Sequence, residues 1–244
     1  MTVIVPMAGT DESRWADWPA PQAWPTLDVD ELAGRPVLVV AAHPDDEVLG
    51  VGGMLAVLAR LGADLRLLWA TDGEASHPGS TAEPAGRLAA IRRSESSVAA
   101  ERLGLAAAPR THLGLPDGRL TGRADELAHL LGQQVRDGEV VLAPWSGDGH
   151  PDHEACGRAA RQVAPTVLEY PVWAWHWAEP DDVRVPWSRA RRVDLDADAR
   201  ERKAAAVECF RSQVEPIGSD PLDGPVLPDR VLAHFRRHHE VVLA

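Results

Sequence analysis

The apolar positions of this chain gather into short runs of strand length, separated by longer stretches with helical spacing. Val37 to Ala42, Leu65 to Thr71, Val140 to Ala143 and Val167 to Trp173 are mostly unbroken apolar runs, the pattern of strands buried on both faces. Between them the spacing predicts helices from about Glu47 to Leu61, Arg87 to Leu103, Asp125 to Arg136 and Glu154 to Val163, with a short strand near Thr111 to Leu113. This alternation argues for an α/β fold with a mostly parallel sheet covered on both faces. Two later helices, Asp198 to Arg211 and Asp229 to His238, each open on an aspartate suited to an N-cap or first turn. Residues 11 to 35 carry Trp15, Trp18 and Trp24 among prolines and acids without sustained period, and read as an ordered arm wrapping the core. The chain thus divides into an N-terminal Trp/Pro-rich arm, residues 1–35, and a single domain, residues 36–244.

Composition narrows the function. With 244 residues the chain is long enough for one α/β domain with a full core. Its net charge of -12, from 37 acidic against 25 basic residues, disfavours a nucleic-acid partner, because such affinity comes from clustered cations. Cys156 and Cys209 are the only cysteines and both fall in helical patterns, so reduced thiols are expected rather than a disulfide framework. Met1 to Thr10 lack a basic, apolar leader, and no run approaches the roughly 20 apolar residues of a membrane span. A soluble cytoplasmic protein is expected, with self-association left open.

The chemistry concentrates after two of the predicted strands. His43-Pro44-Asp45-Asp46-Glu47 follows the first, and His150-Pro151-Asp152-His153 follows the Val140 strand. Crowded carboxylates at a strand end repel one another and lose hydration, unless a cation sits among them or they face water. Two strand ends of an α/β sheet can meet in one crevice. If His43 and Asp46 bind a metal with His153, the set is two imidazoles and one carboxylate, which matches an open zinc site and also suits ferrous iron. Asp45 is then free to take a proton from water, and His150, oriented by Asp152, can donate to the substrate oxygen or leaving group. Gly50, Gly52 and Gly53 do not form a phosphate loop, because Asp45, Asp46 and Glu47 occupy the turn where a pyrophosphate needs positive potential. They are expected to allow close packing of helix on sheet.

These two motifs closely resemble those of the zinc-dependent N-deacetylases called LmbE-like or PIG-L, and the likeness runs from about Pro36 to Gln213. The resemblance implies a Rossmann-like three-layer sandwich and removal of acetyl from N-acetylglucosamine groups of thiol-cofactor precursors, glycolipid precursors or glycosylated antibiotics. It implies zinc on His43, Asp46 and His153, Asp45 as general base, and His150 as oxyanion stabiliser. Thr71-Asp72-Gly73-Glu74, Arg92 with Glu95, and Leu115-Pro116-Asp117-Gly118 also match the family in order, and by analogy Arg92 and Asp117 hold hydroxyls of a glucosamine ring. Some thiol-pathway members carry a tyrosine two residues before the first histidine of the second motif. This chain has Asp148, which cannot donate a hydrogen bond when ionised.

The expected activity is zinc-dependent hydrolysis of an acyl group from a small N-acylated amino sugar. The alternatives are an amidase for a larger thiol-sugar conjugate or glycosylated antibiotic, and a silent sugar-binding module of the same fold. Trp173, Trp175 and Trp177 alternate with Ala174 and His176, so in an extended segment three indoles share one face. Such a face suits a core or a sugar rim. His238-His239 reads as an exposed helix end, and Lys203 with Ser212-Gln213 as a late family motif on a helix that has a structural reading too.

Overall fold

The computed structural model describes residues 9–244; the reading of Met1 to Thr10 as leaderless lies, up to residue 8, outside them. Three short helices come first: α1 (Glu12–Ala16), α2 (Ala20–Ala23) and α3 (Val29–Ala33). Asp11 and Asp28 start two of them by accepting the N–H groups of Ser13 and Glu31. The sheet and its helices then alternate through β1 (Val37–Ala41), α4 (Asp46–Arg60), β2 (Leu65–Trp69), α5 (Ala85–Arg102) and β3 (Arg110–His112). They continue through α6 (Ala124–Gly132), β4 (Val140–Pro144), α7 (Pro151–Val163) and β5 (Val167–Tyr170). The remainder holds α8 (Ala174–Trp177), β6 (Ala190–Asp194), α9 (Ala197–Val207), α10 (Arg211–Val214), α11 (Asp229–Leu232) and β7 (His239–Leu243).

The strands form one sheet in the order β3-β2-β1-β4-β5-β7-β6, as an α/β fold requires. The first five run parallel, and β7 and β6 add an antiparallel edge. Alternate residues of β1 feed two separate cores: Val37, Val39 and Ala41 pack with α4, α5 and α9, while Leu38 and Val40 pack with α6 and α7. Burial on both faces explains why the strand is apolar at every position. From β1 the chain first builds outward through β2 and β3, then returns to lay β4 on the other side of β1. The carboxyl ends of β1 and β4 therefore flank the point where strand order reverses, where open α/β sheets leave a crevice.

Two glycines let helices approach the sheet. A Cβ on Gly50 of α4 would lie 2.3 Å from Tyr170 Cδ2 of β5, in keeping with the packing role expected for that glycine. On Gly157 of α7 it would lie 2.5 Å from the Pro144 carbonyl oxygen. Helix α4 also departs from helical geometry at Val51, where φ is -139°. Glu240 of β7 accepts the Gly53 and Met54 N–H groups, each at 2.7 Å, and Lys203 of α9 donates to the Leu49 carbonyl at 2.7 Å. Lys203 and Glu240 also pair directly, at 2.7 Å, in a buried environment. Lys203 thus serves the structural reading allowed for its helix.

Several expectations for the second half need correction. The helix expected from Asp198 to Arg211 ends at Val207, because Phe210 leaves helical geometry (ψ 57°) to bury its ring, and a separate turn, α10, follows. The helix expected from Asp229 to His238 is one turn of α-helix and one of 3-10 helix. His239 opens β7 rather than ending a helix. The sequence pattern does not predict β6 and β7, since Arg191, Arg192 and Glu240 interrupt the apolar signal.

Candidate active site

The turn after β1 is strained. Asp45 adopts φ 121° and ψ -30°, which costs a non-glycine residue about 1–3 kcal/mol and persists only where surroundings impose it. Arg92 of α5 imposes it: Nη2 donates to the Pro44 carbonyl (2.6 Å) and to Asp45 Oδ2 (3.0 Å), and Nη1 donates to the Gly73 carbonyl (2.8 Å). Glu47 accepts the Asp45 N–H at 3.3 Å, while the Asp45 carbonyl accepts the N–H groups of Val48 and Leu49 and so opens the hydrogen bonding of α4. One residue on, Asp46 Oδ2 accepts the His43 N–H at 2.8 Å, folding the motif back on itself.

The second cluster sits on the first turn of α7. His150 is its N-cap, and Nδ1 accepts the Asp152 N–H at 3.2 Å. That bond leaves the proton of a neutral His150 on Nε2. His153, fully buried, donates from Nδ1 to Asp148 Oδ2 at 2.7 Å. Asp148 also accepts N–H groups from Val172, Trp173 and Ala174, each at 2.9 Å, so its carboxylate is fixed from several directions. Sequence reasoning missed this role. The available signal was a carboxylate five residues before His153, able to meet the outer nitrogen of a buried imidazole.

The two clusters meet at Asp46. Its Oδ2 lies 3.3 Å from His43 Nδ1 and its Oδ1 lies 3.1 Å from His153 Nε2, a buried nitrogen with no well-aligned hydrogen bond. His43, His150 and His153 present ring nitrogens within 4.8 Å of one another. The rings of His150 stand 4.8 Å from His43 and 4.6 Å from His153. Asp45, His43, Asp46, His150 and His153 are therefore gathered at one place, among residues that can hold a cation.

Three side chains have different partners from those expected. The Asp152 carboxylate does not orient His150; it accepts the Gly118 N–H (2.7 Å) and the Leu120 N–H (3.0 Å), and only its main-chain N–H meets the ring. Asp117 lines the cavity, but both of its oxygens have partners within the protein: Oδ1 lies 3.0 Å from His43 Nε2 and Oδ2 accepts the Ala75 N–H at 2.8 Å. Arg92 lines the cavity but is only 2% exposed, and both terminal nitrogens are engaged on Gly73, Pro44 and Asp45.

The charges are strongly coupled. Burial alone lowers an imidazole pKa, yet Asp117, Asp152 and Asp46 outweigh it and hold His43 well above its ordinary range. In the same way Asp46 and Asp148 raise His153 to about 9 against the effect of burial. Burial would raise Asp46, but His153 and His43 hold it well below the usual carboxylate range. Asp45 goes the other way: burial pushes its carboxyl up to about 7 despite the Arg92 guanidinium. Burial, reinforced by His153 and His43, lowers His150 to about 2, so it is neutral near pH 7.

A cavity of about 710 Å³ opens over this cluster, with Trp173, His176, Gln213 and Arg230 in its walls. The alternating aromatic run is not extended. Residues 174–177 form α8, so the three indoles diverge. Trp173 lines the cavity, whereas Trp175 packs edge-on against Trp15 at 5.1 Å. Trp177 stacks beside Trp145 and donates from Nε1 to the Asp148 carbonyl at 2.7 Å. No helix among the described residues is long and apolar enough to cross a membrane.

Comparison with known proteins places this geometry. Residues 38–164, which hold both motifs, match the family model PIG-L, described as GlcNAc-PI de-N-acetylase. A 1D-myo-inositol 2-acetamido-2-deoxy-alpha-D-glucopyranoside deacetylase of Rhodococcus erythropolis is 31% identical over 207 residues, covering 73% of this chain and 67% of the relative. The chain spans about two thirds of the length of such relatives. The N,N'-diacetylchitobiose deacetylase of Pyrococcus horikoshii shares the fold with TM-score 0.57 at 23% identity, covering 76% of this chain and 73% of its own. A deacetylase of the teicoplanin biosynthesis pathway does so with TM-score 0.61 at 20% identity, covering 85% of this chain and 96% of its own. With the model match spanning both motifs across more than half of the sequence, the chain belongs to the PIG-L family.

Proposed function

We propose that this protein is a zinc-dependent N-deacetylase that removes acetyl, or a related acyl group, from an N-acylated amino sugar. The observation that carries the reading is the Asp46 carboxylate spanning His43 Nδ1 and His153 Nε2, beside Asp45, a carboxylate bonded to neither ring. The donor set fits a cation: the His153 nitrogen nearest Asp46 is buried and lacks an aligned hydrogen bond. The two imidazoles hold protons tightly in this acidic setting, and a dication displacing both protons leaves the local charge unchanged. His43, Asp46 and His153 would hold the metal, leaving an open position as in hydrolytic zinc sites. Bound there, zinc supplies a Lewis acid and lowers the pKa of water at that position.

The remaining steps belong to the chain. Asp45, held in place by Arg92 and buried enough to bind a proton near neutral pH, takes the proton of the attacking water. His150, neutral and with its proton on Nε2, donates a hydrogen bond to the acyl oxygen as negative charge develops there. Asp45 then returns its proton to the departing amine. The cavity volume suits a sugar with a further substituent.

The test is free-amine release by metal-stripped protein, with and without added zinc. The panel is N-acetylglucosamine, its inositol conjugate, diacetylchitobiose and N-acylglucosaminyl glycopeptides. Zinc-dependent release from one member is expected. No release from any, with zinc bound stoichiometrically, overturns the proposal.

A further inference from the structure

We infer that Asp117 is a positioning residue for His43, and that it ties the loop flooring the cavity to the metal centre. This rests on the proposed metal set. In that set each imidazole turns one nitrogen toward Asp46 and the other toward a second buried carboxylate. For His153 the pair is Nε2 to Asp46 and Nδ1 to Asp148; for His43 it is Nδ1 to Asp46 and Nε2 to Asp117, at 3.0 Å, with Asp152 Oδ2 farther from the same nitrogen at 3.5 Å. An outer carboxylate of this kind fixes the tautomer and ring orientation of a ligating histidine and raises its basicity. The Asp117 and His43 side chains are 8% and 9% exposed, so solvent screens the contact little.

The same loop is anchored on both sides of the site. Glu74 accepts the Asp117 N–H at 3.0 Å, Asp117 accepts the Ala75 N–H, and Asp152 accepts the N–H groups of Gly118 and Leu120. Asp152 directly precedes His153 on α7. The loop is thereby fastened to both halves of the metal site, through a side chain to His43 and through the backbone to the helix of His153. A sugar contact alone would not require Asp117 to be engaged on His43.

The experiment measures zinc affinity of the full chain by competition with a chromophoric chelator. Asp117→Ala is expected to weaken zinc about 10–100-fold, and Asp117→Asn less, since an amide oxygen can still accept from Nε2. Glu74→Ala loosens the loop backbone without touching the imidazole and is expected to leave zinc affinity within about threefold of wild type, well short of the effect that loss of an outer carboxylate produces. Far-ultraviolet circular dichroism of each metal-free variant verifies folding. Unchanged affinity in folded Asp117→Ala, with a raised KM, overturns the inference and returns Asp117 to substrate contact. Equal weakening by Glu74→Ala also overturns it, in favour of general loop order. His153→Ala tests the underlying metal reading separately: wild-type zinc affinity in that variant would remove the reading, whereas its loss beside an unaffected Asp117→Ala removes only the inference.

Discussion

Replacing Lys203 by methionine keeps the bulk of the side chain and removes its ammonium. Two costs follow. Glu240, 4% exposed, keeps its bonds to the Gly53 and Met54 N–H groups but loses its counter-charge. The Leu49 carbonyl, whose i+4 neighbour Gly53 turns its N–H to Glu240, loses the Lys203 donor. Breaking a buried pair from one side costs about 3–5 kcal/mol, and the two amides still solvating Glu240 argue for about 3. For a domain of this size that lowers Tm by roughly 6–12 °C. Urea unfolding followed by tryptophan fluorescence measures it, with unchanged slope required for a clean comparison. The double variant with Glu240→Gln is expected to recover part of the loss, since no charge is then stranded. A Lys203→Met protein within about 1 kcal/mol of wild type would refute the account, because a surface lysine behaves that way.

Other expectations bear on the site. Asp45→Asn preserves shape and should lower kcat by about 10²–10⁴-fold while zinc stays bound, as followed by amine release and metal analysis. His150→Ala should lower kcat by a comparable factor with zinc retained, because it removes a donor to the oxyanion rather than a ligand; loss of zinc would place His150 in the metal set instead. Gly157→Ala puts a methyl against the Pro144 carbonyl, and a cost of about 1–3 kcal/mol is expected in urea unfolding, with weaker zinc binding because α7 carries His153. Dialysis against a chelator should abolish amine release, and added zinc should restore it; activity that survives verified metal removal would sink the metal reading.

The parts legible in the sequence were those with repeated or local signals. Val37 to Val40 and Val140 to Ala143 announced central strands because both faces of the sheet are covered, and the motifs behind them announced the crevice. Partnerships across the chain were harder. Nothing near Asp117 says that it meets His43, because the contact depends on where the loop after β3 lies over β1. Asp148 looked like a departure from a family pattern until the fold placed it behind His153. The edge strands were hidden for another reason: Glu240 faces inward to serve α4, so the charge that breaks the strand pattern is what the interior needs. The Trp173 to Trp177 alternation misled because a single helical turn also accommodates it.

The indole cluster that joins the arm to the cavity wall also constrains the order of assembly. Trp15 donates from Nε1 to the Trp175 carbonyl across 160 residues of chain, and Trp24 stacks on Trp187. The arm is synthesised well before the segment on which it rests, so it must wait, with its tryptophans unburied, until α8 and Trp187 have emerged. Contacts of such long separation close late and slowly. The wall that carries Trp173 therefore rests on contacts between distant parts of the described chain, and it cannot be complete before the segment around Trp187 has been made.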